Sequence, residues 1–195
     1  MAASRSNSGF PRRSAVAGLS SLRAAIVLLT LCLSEVHGLE AAAQPPSEYQ
    51  VKAAFLLNFT KFIDWPESSF SSPDTPISIC ILGDDPFGAG LDRIVEGETV
   101  NSRRITIQRV HRLPLPGCHV LFIGQDEKDI PRTVAGLRPG ILTVGEGERF
   151  LRQGGMIAFV IDSRRVRFDV NQPAAANAGL QISSKLLSVA RNVEK

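Results

Sequence analysis

Apolar and polar positions divide this chain into segments of different period. Val166, Phe168 and Val170 alternate with Arg165, Arg167 and Asp169, the period-2 pattern of a strand with one buried face. Met156–Ile161 reads as a partner strand, and the two form a hairpin across Asp162–Arg165. Ile77–Leu82 (ISICIL), His119–Ile123 (HVLFI) and Ile141–Val144 (ILTV) are continuous apolar runs, as expected of strands covered on both faces. Ile105–Val110 (ITIQRV) is another strand.

Helical signals lie between the strands. Ser47 and Gln50 have the spacing of a capping box, and the helix they open is predicted to reach about Ile63. Val51, Phe55, Phe59 and Phe62 form its stripe, widened by Ala54, Leu56 and Leu57, and Trp65-Pro66 ends it. Phe87, Leu91 and Ile94/Val95 mark a second helix, with Asp84 or Asp85 as its cap and Pro86 just inside. Asp126–Leu137 reads as a third, with Ile130, Val134 and Leu137 on one face, and Glu148–Arg152 as a short fourth. After Val170, Asn171 or Gln172 is placed to cap an alanine-rich helix that has Pro173 in its first turn. Gly179 breaks the pattern, and Ser183 or Ser184 caps a terminal helix carrying Leu186, Leu187 and Val189. The whole predicts a three-layer α/β fold: a mostly parallel sheet of about six strands with a C-terminal antiparallel hairpin, and helices on both faces.

Charge changes the picture only at the N-terminus. The 195 residues carry a formal net charge of +3. Removing the four arginines and one glutamate of residues 1–38 from 22 basic and 19 acidic residues leaves 18 of each. The body is neutral, which argues against a nucleic-acid partner. Arg5, Arg12, Arg13 and Arg23 precede the apolar run Ala24–Leu33, and small residues follow at Val36-His37-Gly38 or Ala41-Ala42-Ala43. This is the layout of a signal peptide over residues 1–38, with cleavage as late as 43. Ten apolar residues are too few to span about 30 Å of hydrocarbon. Leu31 is too bulky to precede a lipid-modified Cys32, and Arg12-Arg13 leaves Sec and Tat export both open. Residues 39–46 read as a linker and 47–195 as one exported domain.

Candidate chemistry is sparse. No Gly-x-Ser-x-Gly, His-Glu-x-x-His, dinucleotide fingerprint or phosphate loop occurs, so neither catalysis nor a cofactor is expected. Asp84 and Asp85 follow a strand but would repel an anion. Too few cysteines and histidines remain for a structural zinc site, and no metal is expected. Cys80 and Cys118 lie at or in predicted strands, either as a disulfide or as two buried thiols. Tyr49, Phe55, Phe59, Phe62 and Trp65 are either core residues or exposed anchors of a dimer or partner interface. Arg103-Arg104 and Arg164-Arg165-Arg167 are either solvated charges or contacts to an acidic partner, with Arg165 and Arg167 the interface candidates.

Six segments resemble the YfiR family of small exported bacterial proteins. They are EYQVKAAFLLNFTKFIDWP at 48–66, ICILGDDPFG at 79–88, CHVLFIG at 118–124, LTVGE at 142–146, GGMIAFV at 154–160 and VRFDVNQPAAANAGLQISSKLLSVA at 166–190. The resemblance implies a periplasmic, dimeric, non-catalytic regulator. Such proteins restrain an inner-membrane diguanylate cyclase through its periplasmic sensory region and so limit cyclic-di-GMP and biofilm growth. It also supports pairing Cys80 with Cys118, while the absence of Cys from 141–170 removes a second disulfide found in some relatives. The competing expectation is a periplasmic module that binds a small-molecule ligand for a sensor kinase or transporter, using the C-terminal edge of the sheet.

Overall fold

A computed structural model of the chain describes residues 46–113 and 116–195. The predicted signal peptide and nearly all of the linker lie outside the described residues. The first element, α1 (Glu48–Lys61), begins with the capping box: the Gln50 amide donates to Ser47 Oγ and the Ser47 amide to Gln50 Oε1. It stops at Lys61 rather than at Trp65-Pro66. Ile63–Asp64 (β1) has by then become a strand, paired antiparallel with Gln181–Ile182 (β9).

The main sheet has eight strands. In chain order they are β2 (Ile77–Leu82), β3 (Thr99–Val100), β4 (Arg103–Val110), β5 (Val120–Ile123), β6 (Leu142–Glu146), β7 (Ile157–Asp162), β8 (Arg165–Asn171) and β10 (Asn192–Glu194). In space the order is β10-β8-β7-β6-β5-β2-β4-β3. Pairing is parallel except between β3 and β4 and between β7 and β8. β2 and β5 are buried at every position because both faces are covered. On one face Ile77, Ile79, Ile81, Val120 and Phe122 join α1 and α2 (Ala89–Val95). On the other, Cys80, Leu82, Leu121 and Ile123 meet α3 (Ile130–Ala135) and α4 (Glu148–Arg152). α5 (Gln172–Asn177) and α6 (Ser184–Val189) contribute Ala175 and Leu186 to the first core.

Several boundaries differ from expectation. α2 starts at Ala89 and has Gly88 at its cap, so neither Asp84 nor Asp85 caps it; Asp85 Oδ1 instead accepts from the amides of Phe87 and Gly88 in the preceding turn. α3 is half its predicted length. Asp129 caps it and Pro131 sits in its first turn, where a missing N–H costs nothing, so residues 126–128 stay outside. Asn171 and Ser183 are the caps among the pairs proposed, and Gly179 (φ +77°) makes the break. β8 lies one strand in from the sheet edge, with β10 parallel along it. Arg191 fixes that strand: it donates from Nε to Asp169 Oδ1 at 2.9 Å and from Nη2 to Glu148 Oε1 at 2.6 Å.

Candidate functional site

The aromatic residues of the first helix divide in their surroundings. Phe59 has no exposed surface and packs against Phe159 and Phe168, with ring centroids 5.8 and 5.2 Å away. Phe55 stands beside it, 5.4 Å from Phe168. Tyr49, Phe62 and Trp65 are half-buried against the same core. Tyr49 meets the edge of Phe87 at 5.5 Å, and Trp65 lies against the His119 ring. Four of the five keep partial exposure, and Phe59 belongs wholly to the core. The buried face also lies further round the helix than the aromatic spacing indicates, through Lys52, Ala53, Leu56, Leu57 and Thr60.

Lys52 is the residue that reading the sequence missed. Its ammonium lies on the buried face, bonded to Glu48 and to Glu146 at the end of β6. The side chains of Lys52 and Glu146 are each 4% exposed, whereas Glu48 is 47% exposed. The other oxygen of Glu146 accepts from Gln125 Nε2 at 2.6 Å, and the ammonium lies 4.5 Å from the centre of the Tyr49 ring. Burial pulls the Lys52 pKa down, but the hydrogen bonds to Glu146 and Glu48 outweigh it and the net shift is upward, so the Lys52 amine stays charged. Burial and the neighbouring Glu146 carboxylate raise the Tyr49 hydroxyl, which stays protonated.

These groups border the switch point of the sheet. β2 continues to β4 on one side and β5 to β6 on the other, so the chain leaves the carboxyl ends of two adjacent strands in opposite directions. Open α/β sheets place ligands in that crevice. Here it is a cavity of about 220 Å³ lined by Tyr49, Phe122, Gln125, Glu146 and the aspartates 84, 85 and 126. Gly124 also lines it, and Gly83 lies close to the Asp126 carboxylate. A Cβ at Gly83 would come within 2.8 Å of Asp126 Oδ2, and one at Gly124 would overlap the same carboxylate. Arg109 holds the Asp85 loop from below, 2.7 Å from Asp85 and 2.6 Å from Asp92. Among the described residues no group of three or more His, Cys, Asp or Glu side chains could hold a metal ion.

Cys80 and Cys118 come together on the opposite face, joined as a disulfide with Cα atoms 6.0 Å apart and both fully buried. Next to it, His119 is buried and bonded at both ring nitrogens. Nδ1 accepts from the Ser78 amide at 3.2 Å, so Nε2 carries the proton and donates to the Ser69 carbonyl at 3.1 Å. At the other end of the sheet, Arg165 is exposed and Arg167 half-buried on β8. Arg103 lies 3.8 Å over the Phe70 ring and donates to the carbonyls of Ser72 and Thr75, so it braces a loop.

A family model described as YfiR/HmsC-like matches residues 49–191. The chain belongs to the YfiR/HmsC-like family. A search of curated proteins finds no match. All but the first residue of the six YfiR-like segments fall within the matched span, and the structure gives two of them a physical reason. Phe150 of α4 lies between the Gly145 and Gly155 backbones, and a Cβ at either glycine would overlap its ring. LTVGE and GGMIAFV therefore supply the two walls of one aromatic slot, and LTVGE also supplies Glu146. Among the described residues no helix is long and apolar enough to cross a membrane.

Proposed function

We propose that this protein is a periplasmic regulator that restrains an inner-membrane diguanylate cyclase by contact with its periplasmic sensory region, and that it acts as a homodimer. Residues 1–38 serve as the cleaved leader, 39–46 as a linker and 47–195 as the regulatory domain. Membership of the YfiR/HmsC-like family carries the reading. A disulfide buried beside the central strand suits an oxidising compartment. The domain lacks the motifs that would mark a catalytic centre, so its effect is exerted through binding.

Deleting the gene should raise cyclic-di-GMP and surface attachment, and expression of the full chain should reverse both. Expression without residues 1–38 should not, because the domain would stay in the cytoplasm. Unchanged cyclic-di-GMP in the deletion strain would overturn the reading. The crevice at the ends of β2 and β5 favours a second one, a small-ligand module serving a sensor kinase or transporter. A metabolite that raises the melting temperature of wild type but not of Tyr49→Ala would support it.

A further inference from the structure

The β7–β8 hairpin extends beyond the helix that covers it. Ile157, Phe159 and Ile161 of β7 face Val170, Phe168 and Val166 of β8 across the ladder, one apolar stripe shared by two strands. α1 covers the first two pairs, where Phe55 and Phe59 meet Phe159 and Phe168. The third pair lies past its first turn. Ile161 is 54% exposed, one of two large apolar side chains left so open among the described residues. Ile161 and Val166 form the floor of a groove of about 510 Å³, flanked by Val51 and Pro46 on one side and by Arg164 and Arg165 on the other.

The charge around this groove is unbalanced. Glu48 also lines it, but its carboxylate is committed to Lys52. Arg164 and Arg165 make no ion pair among the described residues, unlike Arg109 and Arg191, which each hold two carboxylates. Ser163 and Arg164 both have positive φ (50° and 62°), the conformation of a tight two-residue hairpin, which brings Arg164 and Arg165 to the rim of the groove. An uncovered apolar floor beside two unpaired guanidinium groups complements a segment with one apolar side chain and adjacent carboxylates. A concave shape suits such a segment better than a flat lipid surface.

We propose that this groove is where the partner's periplasmic region docks. An acidic, apolar-anchored segment of that region places its apolar side chain over Ile161 and Val166 and its carboxylates against Arg164 and Arg165. This rests on the regulatory reading above and gives it a surface. Two variants of the full exported chain test it, Ile161→Asp and Arg164→Glu/Arg165→Glu, each checked for an unchanged melting temperature and an intact disulfide. Both should lose repression, with cyclic-di-GMP rising to the level of the deletion strain. Arg164→Lys/Arg165→Lys should retain it, and so should Val189→Asp at the other exposed apolar site. Full repression by both folded variants would overturn the docking surface while leaving the regulatory reading intact; no rise in the deletion strain itself would overturn that reading. A photo-crosslinking benzophenone at position 161 should join a membrane protein through a periplasmic peptide that carries Asp or Glu. Cross-linking to a second copy of this chain would instead assign the groove to the dimer. Flotation of wild type but not of Arg164→Glu/Arg165→Glu with phosphatidylethanolamine–phosphatidylglycerol vesicles would assign it to the bilayer. Either result would refute the proposal.

Discussion

Removing the Lys52 side chain tests how the first helix is held to the sheet. The ammonium and the Glu146 carboxylate are each 4% exposed. Lys52→Ala would leave that carboxylate buried, with the neutral Gln125 amide and Tyr49 hydroxyl beside it. Breaking one half of a buried ion pair typically costs about 3–5 kcal/mol. The bond to Glu48 adds little, because Glu48 is 47% exposed and such pairs contribute at most about 1 kcal/mol. Glu48→Ala should therefore be nearly neutral, and Glu146→Ala should resemble Lys52→Ala. In a domain of this size each kcal/mol moves the melting temperature by about 2–4 °C, so the two damaging variants should melt about 6–20 °C lower. Replacing both partners with apolar residues, Lys52→Met with Glu146→Leu, should recover most of the loss, since the desolvation of two charges disappears with their attraction. Urea unfolding monitored by Trp65 fluorescence, run on wild type, Lys52→Met, Glu146→Leu and the double variant as a double-mutant cycle, measures the coupling. Single-variant losses below about 1 kcal/mol would show that Lys52 and Glu146 are hydrated and that the helix is held by apolar contacts alone.

Three further outcomes follow. Cys80→Ala/Cys118→Ala opens a loop with a sequence separation of 38 and should lose about 4 kcal/mol by loop-closure entropy, measured by urea unfolding; insensitivity of wild-type stability to reductant would contradict this. Gly155→Ala would push a methyl group into the Phe150 ring and should cost about 1–3 kcal/mol, whereas Gly155→Ala with Phe150→Leu should cost less than the sum of the two single variants. Burial holds the His119 pKa below its ordinary value of 6.5, so the folded ring is neutral. Stability is then full above about pH 6.5 and declines as the pH falls, because the unfolded chain takes up a proton that the folded one refuses; melting curves should show a decline that is smaller in His119→Gln.

The parts of this fold that could be read from sequence were those whose cause is local. β2 and β5 showed as unbroken apolar runs because helices cover both their faces, and the hairpin showed through its alternation. Capping at Ser47, Asn171 and Ser183 depends on residues within four positions, so each left a signature. β3, β9 and β10 were missed because two or three residues carry no period; what makes them strands is a partner already in place. The site was harder. A lysine in an apolar helix reads as the solvent side, yet Lys52 stands on the buried face. Its partner lies 94 residues away, a distance at which no spacing rule operates. The signal available was indirect: Lys52 and Glu146 each stand inside a segment that resembles the family.

The same separation has a consequence for how the molecule comes apart. β2 finds its neighbours β4 and β5 within the next few dozen residues, and the disulfide ties β2 to the start of β5. α1 is different, because its ionic partner Glu146 and its aromatic partners Phe159 and Phe168 come from the second half of the chain. Its docking on them closes long loops, and contacts of that kind form late in folding. It is therefore the unit expected to open as a body while the strands beside the disulfide stay closed. In hydrogen exchange, α1 amides should be released together ahead of those of β2 and β5. The first segment of the domain to leave the ribosome would then be among the last to be fixed in place.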